Sequence, residues 1–349
     1  MQKVKAVLLL VFIAAVSVAT VLYSGASAAF YIMPGPDVSS VSGNTASSQN
    51  AVSSEPTVSV APTPSHAPET PSAPPSSQAV PTVQEGTVKG KIISKTIAPS
   101  TATLSYNNIY VKNNAGISID LKSELSEPFK LGLGDASAPQ VLIYHTHATE
   151  SFLSESRDYY TDADVSRTTD TAKNMVAVGE QTANALRAAG FSVLHDASLH
   201  DYPSYNGSYT ASAKTIKSYL AKYPSIKVVI DLHRDAVSSG DDKVKLCREI
   251  GGRNAAQVML VMGSQSGSVT GYPNWKQNFR LAIRLHQKLE TLYPGLARPI
   301  LLVSKKYNQN LSNGGMLIEI GTDANSLDEA LYSGALVGNA LAEMLKEIK

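Results

Sequence analysis

Gln140-Val141-Leu142-Ile143-Tyr144-His145-Thr146-His147-Ala148-Thr149-Glu150 is the stretch on which the reading of this chain turns. Val141 to Tyr144 form an apolar run of strand length. The run stops in two imidazoles, two hydroxyls and a carboxylate. A buried strand that empties into metal-competent side chains puts the chemistry at its carboxyl end.

Outward from this strand, strand-length apolar runs alternate with helical patterns. Met175, Val178, Thr182, Leu186 and Ala189 mark a helix that stops at Gly190, and residues 191–194 form a second strand. Ile216, Tyr219 and Leu220 belong to a helix ending before Pro224, which leads into a strand at 226–232. A strand at 258–262 precedes a helix with Phe279, Ile283, His286 and Leu289 on one face. Strands follow at 300–303 and 316–320, and Ser326-Leu327-Asp328-Glu329 is a capping box opening the last helix. The expected fold class is α/β: helices on both faces of a mixed, largely parallel sheet. Ligands of such sheets sit beyond the carboxyl ends of the strands.

Three strand ends there carry polar residues. The first delivers His145, His147 and Glu150; the strand at 226–232 ends in His233-Arg234-Asp235; the strand at 316–320 carries Glu319. Two imidazoles and one carboxylate bind zinc and leave a position open for water. His147, Glu150 and His233 are the expected ligands of one zinc ion, with His145 as the alternative to His147, because alternation along an extended chain points both the same way. Glu319 is the expected general base. Arg234 is a candidate for an oxyanion or a substrate carboxylate, against a purely structural ion pair. Asp231 is a candidate for fixing the tautomer of a histidine ligand. His195 and His200, beside Asp196 and Asp201, either line the cleft or lie in a solvated loop. His286 reads as a core residue.

Composition narrows the classes. Thirty basic residues against 29 acidic give a net charge of +1, so no bulk field recruits nucleic acid. Cys247 is the single cysteine, which excludes a disulfide framework and a thiolate zinc site. There is no Gly-x-Ser-x-Gly elbow and no phosphate loop. After Lys3 and Lys5, residues 6–23 are apolar apart from Ser17 and Thr20. Residues 1–33 therefore read as a transmembrane anchor with the rest exported, or as a signal sequence cleaved near Ala26-Ser27-Ala28; the length of the run favours the anchor. Residues 34–85, rich in Pro, Ser and Thr, read as a disordered linker. Residues 86–138 read as a small β-rich accessory segment, and 139–349 as the catalytic domain.

His145-Thr146-His147-Ala148-Thr149-Glu150-Ser151-Phe152 resembles the stage II sporulation protein P family. The likeness continues through His200-Asp201-Tyr202-Pro203-Ser204-Tyr205-Asn206-Gly207-Ser208-Tyr209, Asp231-Leu232-His233-Arg234-Asp235-Ala236 and Glu319-Ile320-Gly321. The resemblance implies a peptidoglycan hydrolase of the N-acetylmuramoyl-L-alanine amidase type, also with endopeptidase activity, acting in forespore engulfment. It implies stage II sporulation proteins D and M as partners, and a single-pass position in the cell membrane with the catalytic domain outside the cytoplasm. The sequence is more distantly similar to zinc amidases whose motifs end His-x-x-Ala and Glu-x-Gly. That similarity implies His233 as third ligand and Glu319 as catalytic carboxylate. It departs at the second ligand, a glutamate opening a helix, where this chain has Thr169, Asp170 and Asn174. The competing readings are a membrane-tethered, non-catalytic wall-binding scaffold and a zinc carboxypeptidase of stem peptides.

Overall fold

The structure, a computed structural model, describes residues 86–348. The expected anchor at 1–33 and linker at 34–85 lie outside the described residues. Among the described residues no helix is long and apolar enough to cross a membrane.

The chain opens with β1 (Val88–Lys95), β2 (Leu104–Tyr106), β3 (Ile109–Asn113) and the short α1 (Leu121–Ser126). Next come β4 (Val141–Tyr144), β5 (Tyr159–Thr161), α2 (Met175–Ala188), β6 (Val193–His195), α3 (Ser208–Lys222) and β7 (Val228–Asp235). β8 (Ser238–Ser239), β9 (Asp242–Ile250), β10 (Arg253–Ala256) and β11 (Val258–Gly263) lead to α4 (Trp275–Leu292). β12 (Ile300–Val303), β13 (Gly315–Thr322) and α5 (Leu327–Glu347) complete the chain.

The main sheet has eight strands in the order β2-β3-β12-β11-β13-β7-β4-β6. Five of its pairings are parallel; β2 with β3 and β11 with β13 are antiparallel. Side chains alternate across it, as a pleated strand requires. Val141, Ile143, Val228, Ile230, Leu232, Ile318 and Ile320 pack into the large core with Met175, Val178 and Leu186 of α2, Phe279 and Ile283 of α4, and Val337 and Leu341 of α5. Leu142, Tyr144 and Val229 point the other way, against Ile216 and Tyr219 of α3. The sheet is thus mixed and largely parallel with helices on both faces, as expected. β4, β7 and β13 are mutually parallel, so their carboxyl ends share one edge. Asp231 and His233 fall on the α3 face, because they alternate with Val228, Ile230 and Leu232.

Local chemistry fixes the helix ends. The Asn174 side chain accepts from Val176 N at the start of α2. Ser326 and Glu329 form the capping box of α5. α2 and α5 pack closely because α5 offers glycines: a Cβ on Gly338 would lie 2.7 Å from Thr182 O and 2.6 Å from Ala185 Cβ of α2. Gly338→Ala is therefore expected to force the helices apart and lower unfolding free energy by about 1–3 kcal/mol, measured by urea denaturation.

A second sheet runs β10-β9-β1-β5, with β8 also on β9. Gly251 and Gly252, at φ 57° and 77°, form the tight turn between β9 and β10. Residues 86–138 do not stand apart as an accessory segment. β1 is inserted between β9 and β5, while β3 pairs with β12 in the main sheet. Ile109 and Val111 of β3 are fully buried, since they complete the large core.

Candidate metal centre

The chain turns as soon as β4 ends, and two buried aspartates hold the turn. Asp231 of β7 accepts from Thr146 N at 2.8 Å and from Thr146 Oγ1 at 2.7 Å. Asp201, from the loop before α3, accepts from Thr149 N at 3.2 Å and from Thr149 Oγ1 at 2.6 Å. Alternation therefore fails here, and His145 and His147 part company. His145 is fully buried on the α2 side, its Nδ1 3.0 Å from Leu232 O and its Nε2 2.9 Å from His195 Nε2. Gly179 of α2 leaves the space: a Cβ there would lie 2.5 Å from His145 Nε2. Burial, helped by His195, pushes His145 down to about 3, so it stays neutral.

His147, Glu150 and His233 come together. One donor atom from each lies within 4.8 Å of the others, and all three residues are buried. His147 Nδ1 is 3.5 Å from Glu150 Oε1, and His233 Nδ1 is 3.6 Å from Glu150 Oε2. The far nitrogens are occupied elsewhere: His147 Nε2 lies 3.1 Å from Ser208 Oγ, and His233 Nε2 lies 3.0 Å from Asp231 Oδ1. The latter is an ion-pair distance without hydrogen-bond alignment, since His233 Nε2 has no hydrogen-bond partner. Arg234 N donates to Glu150 Oε2 at 3.1 Å. His147 is stacked on Tyr205 at 4.6 Å and meets Tyr209 edge-on at 5.6 Å.

Charge in this cluster is unevenly held. Burial alone would lower His233, but Asp231, with Glu150 and Glu319, overrides it and raises the imidazole to about 10. Burial opposes ionisation of Glu150, yet the bond to His147 and the charges of His233 and Arg234 hold it well below the usual carboxylate range. Glu319 lies opposite His233 in the register of β13 on β7. Burial, reinforced by Asp235 and Glu150 and opposed by His233 and Arg298, raises it to about 8. Its Oε2 is buried without a hydrogen-bond partner. Two nitrogens and a carboxylate facing one point, beside an unpartnered carboxyl, are the donor set of an open zinc site.

Arg234 falls elsewhere. Its Nε donates to Ser151 O at 2.9 Å and its Nη2 to Ser166 O at 2.5 Å, because strand alternation turns its side chain away from that of His233. The arginine at the site is Arg167, which no spacing or period marked in the sequence. Its Nη2 is 3.3 Å from Glu150 Oε1 and its Nη1 2.6 Å from Asp201 Oδ2. His195 bonds Glu180 at 2.8 Å, and His200 Nδ1 lies 2.7 Å from His145 O. Both support the turn from outside the cluster. His286 is a core residue, with Nε2 3.2 Å from Arg298 O.

Fold and site define an α/β protein with a candidate His-Glu-His metal centre at the carboxyl edge of its main sheet. The chain belongs to the stage II sporulation protein P (SpoIIP) family, whose sequence model matches residues 60–345. Stage II sporulation protein P of Bacillus subtilis (strain 168) is 30% identical in an alignment 233 residues long that covers 62% of this chain. The match spans about half, 53%, of that relative's length. Among solved structures the chain is similar to the CwlD amidase from Clostridioides difficile in complex with the GerS lipoprotein, at 10% identity and a TM-score of 0.36, covering 60% of this chain and 98% of that one. It is also similar to the catalytic domain of CwlV, an N-acetylmuramoyl-L-alanine amidase from Bacillus (Paenibacillus) polymyxa var. colistinus. That likeness has 10% identity and a TM-score of 0.35, covering 60% of this chain and 99% of that one.

Proposed function

We propose that the chain is a zinc-dependent peptidoglycan hydrolase of sporulation. It cleaves the amide between N-acetylmuramic acid and the stem peptide, with endopeptidase activity on the same strand-end site. The observation that carries this reading is the buried cluster of His147, Glu150 and His233 with unpartnered Glu319 beside it. Family membership supplies the sporulation context. The apolar run at 6–23 supports a single membrane anchor with the hydrolase outside the cytoplasm, and stage II sporulation proteins D and M are the proposed partners.

His147, Glu150 and His233 would hold the metal. Bound zinc supplies Lewis acidity, lowering the pKa of a water and polarising an amide carbonyl. Asp231 holds the Nε2 side of His233 and leaves Nδ1 turned to Glu150. The Arg234 N–H and the Arg167 guanidinium fix the Glu150 carboxylate. Glu319 takes the water's proton and returns it to the leaving amine.

Incubation of the chain with purified wall, with and without chelator, tests the reading by mass spectrometry of the released ends. Zinc-restorable release of free stem peptides is expected. Release that ignores the chelator, or no release, rejects it; release of single terminal residues moves the assignment to a carboxypeptidase.

A further inference from the structure

Arg167 is committed on one side only. Its Nη1 donates to Asp201 Oδ2 at 2.6 Å and to Thr149 Oγ1 at 3.2 Å, and its Nη2 to Glu150 Oε1 at 3.3 Å. A guanidinium carries five N–H donors in a rigid plane. The Nε–H and one Nη2 hydrogen therefore have no hydrogen-bond partner among the described residues. The Arg167 side chain is 38% exposed, while those of Glu150 and Asp201 are 7% and 0% exposed. Two buried carboxylates thus pin the group and leave a pair of donors free.

The position is next to the chemistry. The Tyr205 ring is stacked on His147, with centroids 4.6 Å apart, and the Arg167 guanidinium carbon lies 4.8 Å from the centre of the same ring. Arg167 so reaches one candidate metal ligand directly and a second through one aromatic ring. Neutralising Asp201 and Glu150 does not call for a free fork, because Asp201 also accepts two bonds from Thr149 and Glu150 one from Arg234 N. A planar fork held in place beside a reaction centre is suited to bidentate capture of a carboxylate.

We propose that Arg167 is the substrate-binding residue that recognises a carboxylate on the peptide side of the scissile amide. The inference rests on the hydrolase reading above. Such a carboxylate comes from one of two places: the residue that directly follows the amide, when it ends the chain, or the acidic second residue of a longer stem.

Calorimetric binding to the zinc-loaded full chain carrying Glu319→Gln tests this with two ligand pairs. The first pair is N-acetylmuramoyl-L-alanine and its carboxamide; the second is a muramoyl tripeptide with the second residue's carboxylate free or amidated. In one pair the acid is expected to bind about tenfold tighter than the amide, and that pair identifies the source. Adding Arg167→Gln, with zinc in saturating excess because the variant also loses the bond to Glu150, is expected to bring the two members of that pair within about twofold by weakening the acid more than the amide. Arg167→Lys, which keeps the charge and loses the fork, is expected to keep only part of the preference. Equal binding within both pairs, or a preference retained in full by either variant, overturns the role of Arg167 alone. If no ligand binds and the native chain releases nothing from wall, the hydrolase reading falls with it.

Discussion

Glu319→Gln is expected to lower release of stem peptides from wall by about 10²–10⁴-fold while the chain still binds one zinc ion. The two readouts separate because Glu319 is not one of the three clustered donors, yet it lies opposite His233 across β13 and β7. Glutamine keeps the volume and the oxygen but cannot accept the water's proton. The buried Oε2 has no hydrogen-bond partner, so the substitution breaks no hydrogen bond at that oxygen and exchanges one unpaired buried polar group for another. The thermal midpoint should accordingly hold. Turnover measured on purified wall beside zinc content by atomic absorption checks both halves. Unchanged turnover removes Glu319 from the mechanism; lost zinc makes it a ligand instead.

Much of this site was legible because it sits where buried strands end. Residues 141–144, 226–232 and 316–320 are apolar enough to be read as strands, and the polar residues after the first two runs and Glu319 near the end of the third then take their places at one edge. What was not legible was conformation beyond the strand. His145 and His147 were inseparable under alternation, and Asp231 and Asp201 end that alternation by bending the chain through Thr146 and Thr149. Alternation does apply to β7, where it sets the side chain of Arg234 opposite that of His233. Arg167 lies between β5 and α2 in a segment with no period, and long-range bonds alone bring it in. Glu150 is tied to the start of α2 by its carbonyl, which accepts at 2.9 Å from the N–H of Met175, the first residue of that helix, and no sequence period announced that contact. The hairpin of β9 and β10 was missed because its charged residues hide the buried Val244 and Leu246, although the Gly251-Gly252 turn was in plain view.

Zinc binding is expected to release protons and to strengthen by at least about tenfold per pH unit between pH 6.5 and 8. In the metal-free chain His233 titrates at about 10 and is an imidazolium at neutral pH, so it must lose its proton to become a ligand. Glu319, at about 8, is also largely protonated there, and a nearby dication favours its ionised form. Both groups have folded-state values raised above their unfolded ones. Their contribution to metal-free stability is thus fully present below the unfolded values and is lost as pH rises through about 8 for Glu319 and about 10 for His233. Glu150 and Asp231 are held low, so their contribution is lost only as pH falls below the ordinary carboxylate range. Raising the pH from 6.5 to 9 should therefore lower the thermal midpoint of the metal-free protein and raise zinc affinity over the same interval. Calorimetry at pH 7 in buffers of different ionisation enthalpy counts the protons, and one to two per zinc are expected. A count of zero, or an affinity flat with pH, means that His233 is already neutral and that Asp231 does not hold its charge.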